Sequence, residues 1–472
     1  MVFLQHLLGL SNSMKKNQDV DIAIIGAGIT GIATAYYLCE KYKRNSIILI
    51  DARDPMTYTS AQSGDNYRNW WPSEIMTQFT DHSIGLMHDI ARQSSNVLQM
   101  KQRGYALATR RSNIDGLLTT LESNYTNTDG LVRVHHGSNS NSYIKPHNDD
   151  WNSQVDGVDV LSNKLLIQST FPAFSTEIEH VLHIRKAGDI SGQQMGAYML
   201  EKIKPLGCQR LRGYVENIVK NDRYTLEIST QQESVLLNAE IVINAAGPYV
   251  GDVANMLGTK LPIENVFHQK IAFEDTQNAV PRNQPFSIDI DEATLSWSNQ
   301  DRAALEQDSN LAWLTKPIDG GIHCRPEGTG RWVKLGWAYN RKASQLKKHQ
   351  VLMDDPMADP SFPEIVIRGA ARLNPSLEPY INELPKGRVH YGGYYTMTKE
   401  NWPLIGPLNQ DGAFVVGALS GFGSMSSCAA GSLCADWVCG STLPKYAHAL
   451  SLNRYKDPEL IARMSETDTG LL

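Results

Sequence analysis

Hydrophobic and polar positions in this chain fall into blocks whose period changes. The run Asp21-Ile22-Ala23-Ile24-Ile25 is apolar on both faces after its first residue, which predicts a strand buried on both sides. Three glycines follow, then Ile32-Ala33-Thr34-Ala35-Tyr36-Tyr37-Leu38, which predicts a buried helix. A second apolar run, Ile47-Ile48-Leu49-Ile50, ends on Asp51. Residues 19–51 therefore read as one βαβ unit. Further on, helical patterns run from about Ser73 to Met100 and from Ile190 to Lys204. Short alternating segments at 213–218, 224–228 and 234–237 predict strands. The run Glu240-Ile241-Val242-Ile243-Asn244 predicts another strand, ending in the small residues Ala245, Ala246 and Gly247. Residues 262–390 look β-rich with helical insertions. The last block has a strand at Ala413–Gly417, the turn Ser420-Gly421-Phe422-Gly423-Ser424 and a helix of small residues.

The turn between the first strand and helix, Gly26-Ala27-Gly28-Ile29-Thr30-Gly31, gives the βαβ unit its chemistry. The first glycine makes the tight turn, the second admits a pyrophosphate to the backbone, and the third lets helix and strand pack closely. The helix N-terminus offers N–H groups to the phosphates. Asp51, twenty residues after Gly31, is placed to accept from a ribose hydroxyl, with Ala52 and Arg53 beside it. The spacing predicts the ADP half of a dinucleotide. The turn at Gly421–Ser424 is a second place where helix N–H groups can face an anion.

Length and composition restrict the alternatives. A chain of 472 residues needs two domains or one interleaved unit. Its net charge of -6 and lack of a basic stripe argue against nucleic acid as a partner. Six cysteines without CxxC spacing point to structural thiols in a reducing compartment, with no metal site. No apolar run reaches membrane-spanning length, and residues 1–18 lack a basic n-region, so a cytoplasmic protein with a short N-terminal extension is expected. The expected organisation is a discontinuous nucleotide domain from 19–100, 179–261 and 391–445, with 101–178 and 262–390 forming a substrate domain. A tail follows from 446 to 472. The polar stretch 136–153 reads as a surface loop.

Four motifs occur together and in order: the turn at 26–31, Val242–Pro248, Thr396–Gly406, and Gly417–Gly431. In this the chain resembles the FAD-dependent D-amino-acid-oxidase-like superfamily, nearest its glycine oxidase, sarcosine oxidase and D-amino acid dehydrogenase branch. The resemblance spans roughly 19–445. It implies an α/β fold: a Rossmann-type FAD-binding domain with an interleaved antiparallel β-sheet substrate domain. It also implies oxidation of a C–N bond in a small amine or amino acid, by hydride transfer to flavin N5. Ser63-Gly64-Asp65-Asn66-Tyr67-Arg68 looks like the loop beneath the flavin, and Arg68 like its arginine near the ring. Ser60 and Ser63 are candidate ribityl or phosphate contacts, and Val215 matches the position whose backbone meets adenine. Ala246, Gly247 and the loop Gly421-Phe422-Gly423-Ser424-Met425 match further cofactor contacts. Lys334 looks like the lysine that activates oxygen, and Tyr394 and Tyr395 like residues bordering the substrate, Tyr395 with a catalytic part.

The departures from the family pattern carry information. Sarcosine oxidases hold flavin through a cysteine; the matching place here is close to Gly393, so FAD is expected to be noncovalent. Their two cations for the substrate carboxylate are replaced by Trp71 and Met425. Trp70 and Trp71 instead suggest a bulkier or more aromatic ligand. The electron acceptor stays open between oxygen, a quinone and an electron-transfer protein, as does the oligomeric state. A flavoprotein acting only as an assembly subunit is the reading from another class.

Overall fold

The computed structural model describes residues 16–123, 130–138, 142–146 and 150–466. Most of the expected N-terminal extension, parts of the polar loop at 136–153 and the last six residues lie outside these. The first strand, β1, is Lys16–Ile25, so it takes in the end of the expected extension. It runs through Gly26 into α1, Ile29–Glu40, and back into β2, Ile47–Asp51. The parallel core of the first sheet is, in spatial order, Cys208–Arg212, β2, β1, Ser234–Asn244 and Ala413–Gly417. The strand Ser234–Asn244 is continuous where the sequence suggests two. Its first half pairs with an antiparallel hairpin, Tyr214–Lys220 and Tyr224–Ser229; its last three residues pair with Ala413–Val415. One long strand thus serves two partners along the same edge.

Both faces of this sheet are covered, which explains the unbroken apolar runs. Ile22, Ile24, Ile47 and Leu49 face one core with α1 and the helices Glu74–Gln93, Gly192–Ile203 and Gly423–Val438. Ala23, Ile25, Ile48 and Ile50 face the other, under the hairpin and the helix Val250–Met256. The small residues of Gly423–Val438 have a packing reason. A Cβ on Gly431 would sit 2.5 Å from the Ala33 carbonyl carbon, so this helix crosses α1 at backbone contact.

Among the described residues the second sheet has nine strands, in the order Val389–Met397, Glu264–Glu274, Trp332–Gly336, Ile322–Pro326, Phe286–Asp289, Tyr105–Thr109, His180–Ile184, Val158–Leu161 and Val132–His135. It is antiparallel except where Phe286–Asp289 meets Tyr105–Thr109 and where the last two strands pair. The first of these parallel joints stitches together segments far apart in sequence. His180–Ile184 and, within Val389–Met397, residues 391–397, expected with the nucleotide domain, pair into this sheet. The helix Phe362–Leu373 covers its back, around Trp337 and Phe273. Residues 446–456 pack on the first sheet, where buried Arg454 donates from Nε to Glu400 at 2.8 Å.

Candidate active site

A long cleft runs along the carboxyl ends of the parallel strands, the place where open α/β sheets receive ligands. Gly26, Gly28, Ile29 and Thr30 form its wall at the start of α1. Gly26 has φ 112°, and a Cβ there would lie 2.2 Å from the Ala245 carbonyl oxygen. A Cβ on Gly31 would lie 2.0 Å from the Gly26 carbonyl oxygen. Gly31 and Ala27 sit behind the wall, so their part is to shape the turn. The Ala27 amide donates to Asp51 Oδ2 at 2.8 Å and the Arg53 amide to Oδ1 at 2.9 Å. Each Asp51 oxygen keeps a further lone pair for a ribose hydroxyl. Asp51, Ala52 and Arg53 line one end of the cleft, with Val215, Ala246 and Gly247 opposite.

The other end of the cleft lies between the two sheets. Ser60, Ser63 and Gly64 line it on one side, Gly421, Gly423 and Ser424 on the other. Ser60 Oγ accepts from the Ile29 amide at 3.1 Å. Ser424 Oγ lies 2.8 Å from Ser63 Oγ and 3.1 Å from Asp65 Oδ1, tying the loop to the helix that starts at Gly423. Three cations from adjacent strands hold three successive carbonyls of this loop. Lys270 Nζ donates to Gln62 O at 3.4 Å, Lys334 Nζ to Ser63 O at 3.5 Å, and Arg325 Nη2 to Gly64 O at 2.8 Å.

A second cavity opens off the first, sharing Gly64, Lys270, Tyr395, Ser420 and Gly421 with it. Arg68 lines this cavity, with its guanidinium carbon 4.4 Å above the Trp71 ring. Phe422 and Met425, expected at the cofactor, line this cavity and not the cleft. Trp71 lines it too, edge-on to Phe422 at 4.9 Å. Trp70 does not: it is buried in the core with Tyr105, Leu107 and Val158. Trp70→Ala is therefore expected to cost about 3–5 kcal/mol of stability while leaving cofactor content unchanged. Chemical denaturation and the flavin-to-protein absorbance ratio check the two halves of that statement.

Tyr394 lines the cofactor cleft only, and its hydroxyl donates to Asp355 Oδ2 at 2.7 Å. Tyr395 lines both spaces, against the His268 ring at 4.2 Å, and burial pushes its phenol up to about 12. Lys334 lines neither. It pairs with Glu327 at 3.2 Å and sits one row away from the opening, opposite Ala272. Lys270, on the neighbouring strand, lines both spaces. Burial lowers its pKa to about 8, with Asp65 partly opposing the shift. Its one mark in the sequence is that it is the sole Lys or Arg of the strand Glu264–Glu274. Tyr105, Phe286, Ile288, His323 and Asn401 complete the cavity and had no local signal. His323 is uncharged near neutrality: burial lowers its pKa to about 4, and Nδ1 lies 2.9 Å from Gly321 O. Among the described residues no group of side chains is arranged to hold a metal, and no helix is long and apolar enough to cross a membrane.

A cleft at the carboxyl ends of a parallel sheet that opens into a second cavity on a separate sheet is the arrangement of a cofactor-binding protein with a separate substrate sheet. The chain belongs to the DAO family of FAD-dependent oxidoreductases, whose family model matches residues 21–437. L-proline dehydrogenase from P. horikoshii has the same fold, with TM-score 0.67, 16% identity, and 93% of this chain and 98% of that one covered. L-amino acid deaminase from Proteus myxofaciens gives 0.65, 14%, 93% and 94%; glycine oxidase from Geobacillus kaustophilus gives 0.64, 15%, 93% and 99%. No curated protein sequence matches the chain. FAD fits the residues present: the glycine turn and Asp51 suit its ADP half, and the cleft continues to the second cavity.

Proposed function

We propose that this protein oxidises a C–N bond of an amine or amino acid. Bound FAD supplies the two-electron acceptor. The substrate's C–H bond breaks, its electron pair leaves as hydride, and the nitrogen lone pair closes a C=N bond. Water then hydrolyses the imine. The observation that carries the reading is the junction of the two cavities at Gly64, Lys270, Tyr395 and Gly421. A substrate in the second cavity faces the cofactor there, with Arg68 to orient it. A free amine needs no general acid–base pair for this step. The Lys270 ammonium beside the junction favours oxygen as acceptor over a quinone or an electron-transfer protein.

Anaerobic mixing with a panel of amines, amino acids and hydroxy acids tests the proposal. Bleaching of the flavin band by an amine supports it; bleaching by hydroxy acids alone, or by nothing, refutes it. Admitting oxygen afterwards separates oxidase from dehydrogenase. The cofactor is expected to be noncovalent, because no cysteine lines the cleft among the described residues and Gly393 packs against the Gln62 side chain. Acid precipitation should release all flavin to the supernatant. A yellow pellet would contradict this.

A further inference from the structure

One segment of the chain ties the two sides of the cofactor cleft together. Residues 344–355 run between the strand Trp332–Gly336 and the helix Phe362–Leu373. Both ends are anchored on the second sheet. The Ser344 amide donates to Asn265 O at 2.7 Å. Asp355, 3% exposed, accepts from Tyr394 Oη at 2.7 Å. Between these anchors the segment reaches the first sheet. Lys347 O accepts from Tyr249 Oη at 3.1 Å, and the Gln350 amide donates to the same Oη at 3.2 Å. Gln350 O accepts from Tyr58 Oη at 2.9 Å and from Arg53 Nη2 at 3.2 Å. Lys348 pairs with Glu216 at 2.7 Å and lies 4.3 Å above the Tyr214 ring.

Arg53, Tyr58, Tyr214, Tyr249 and Tyr394 all line the cleft. Arg53 belongs with Asp51 on one side; Tyr214 and Tyr249 follow Val215 and Gly247 on the other. Among the described residues, none from 344 to 355 lines the cleft itself. The segment therefore clasps the walls without entering the space between them.

Its hold is polar. Among the described residues, none from 343 to 351 belongs to a buried hydrophobic cluster, and Lys347, Lys348 and His349 are exposed. Hydrogen bonds near water are exchanged for bonds to water at small net cost, so a segment held this way opens locally while the rest stays folded. His349 sits at φ 61°, a left-handed conformation that costs an L residue energy and makes opening easier still.

We propose that residues 344–355 are a gate on the cofactor cleft, and that FAD enters and leaves when the strap lifts from Tyr58, Tyr249 and Glu216. The gate concerns the cofactor alone and does not depend on which bond the enzyme oxidises. Its signature is kinetic. A strap that touches only the walls favours no ligand, so loosening it speeds entry and exit alike and leaves affinity nearly unchanged. A wall residue that simply contacts FAD behaves otherwise: its loss speeds exit and weakens affinity by the same factor.

Two variants of the FAD-loaded enzyme test this. Tyr249→Phe removes both hydrogen bonds of the hydroxyl and keeps the ring in the wall. Glu216→Gln cuts the ion pair to Lys348 and lies outside the cleft lining, so it serves even if the tyrosine variant folds poorly. Desalted enzyme is diluted to a series of concentrations and flavin fluorescence is followed. The rate of recovery gives release, the final level gives Kd, and their ratio gives the uptake rate. Release and uptake should both rise about 10- to 30-fold in Tyr249→Phe, the weight of two hydrogen bonds. They should rise about two- to fivefold in Glu216→Gln, the weight of an exposed ion pair. Kd should stay within about threefold of the parent in each. Faster release with unchanged uptake and a Kd raised in proportion overturns the gate and makes Tyr249 an ordinary cofactor contact. Unchanged rates in both variants overturn it as well.

Discussion

Gly26→Ala should leave purification colourless, with the FAD-to-protein ratio down at least tenfold. The residue sits at φ 112°, where an L side chain is strained by roughly 1–3 kcal/mol. Strain alone is survivable. The larger effect is steric, because the new Cβ lies 2.2 Å from the Ala245 carbonyl oxygen, a backbone atom at the end of a central strand. The turn has to shift by an ångström or more to clear it. That shift disturbs the start of α1 at Gly28 and Thr30, where the diphosphate is expected. Gly387→Ala is the control, since Gly387 has φ 73° and nothing within 4 Å of an added Cβ. It should remain yellow. A yellow Gly26→Ala protein with normal FAD content would show that the turn does not hold the cofactor.

Lys270→Met should slow reoxidation of the reduced enzyme by oxygen by about 10²–10³-fold, the usual weight of a single group stabilising developing charge. Anaerobic reduction by substrate should change far less. The methylene stem of Lys270 is replaced closely in shape, so the variant removes charge and little packing. The pH dependence has a definite sign. Burial has lowered the lysine to about 8, so the cation is present below that pH and lost above it. Oxygen reactivity should fall as pH rises through about 8 in the parent and stay flat across that range in the variant. Stopped-flow mixing of reduced enzyme with oxygen at several pH values measures both. Lys334→Met is the informative comparison. Its ammonium is held by Glu327 and the Ser63 carbonyl, away from the opening, so its effect on oxygen should be much smaller. Equal slowing in the two variants would remove Lys270 from this role.

The pair of lysines shows how far a linear reading reaches. Each lies on a β-strand, and each has its ammonium against a carbonyl of the same loop. What separates them is cross-strand register: Lys270 pairs with Gly336, and Lys334 with Ala272, one step further along the same face. With no side chain on Gly336, that part of the face stays low beside Lys270 and His323; an added Cβ would lie 2.4 Å from His323 Nε2. A slip of register moves a different side chain to the opening. Trp70 and Trp71, adjacent in sequence, are also parted by the fold: Trp70 packs in the core with Leu107 and Val158, while Trp71 packs in another core and reaches the cavity.

The sequence by itself determined the βαβ unit, its glycine turn and Asp51, and so the site of the dinucleotide. Those features lie within some thirty consecutive residues, and periodicity, tight turns and helix starts are forces that act over such distances. The second cavity is different. Tyr105, Phe286, His323 and Lys270 come from four strands lying between Tyr105 and Pro326, and the parallel joint between Phe286–Asp289 and Tyr105–Thr109 brings Tyr105 to the other three. No local pattern encodes that pairing. It is set by which faces bury each other when the whole sheet closes, so the tertiary structure alone decided that these four side chains line one cavity with Arg68, Trp71 and Tyr395.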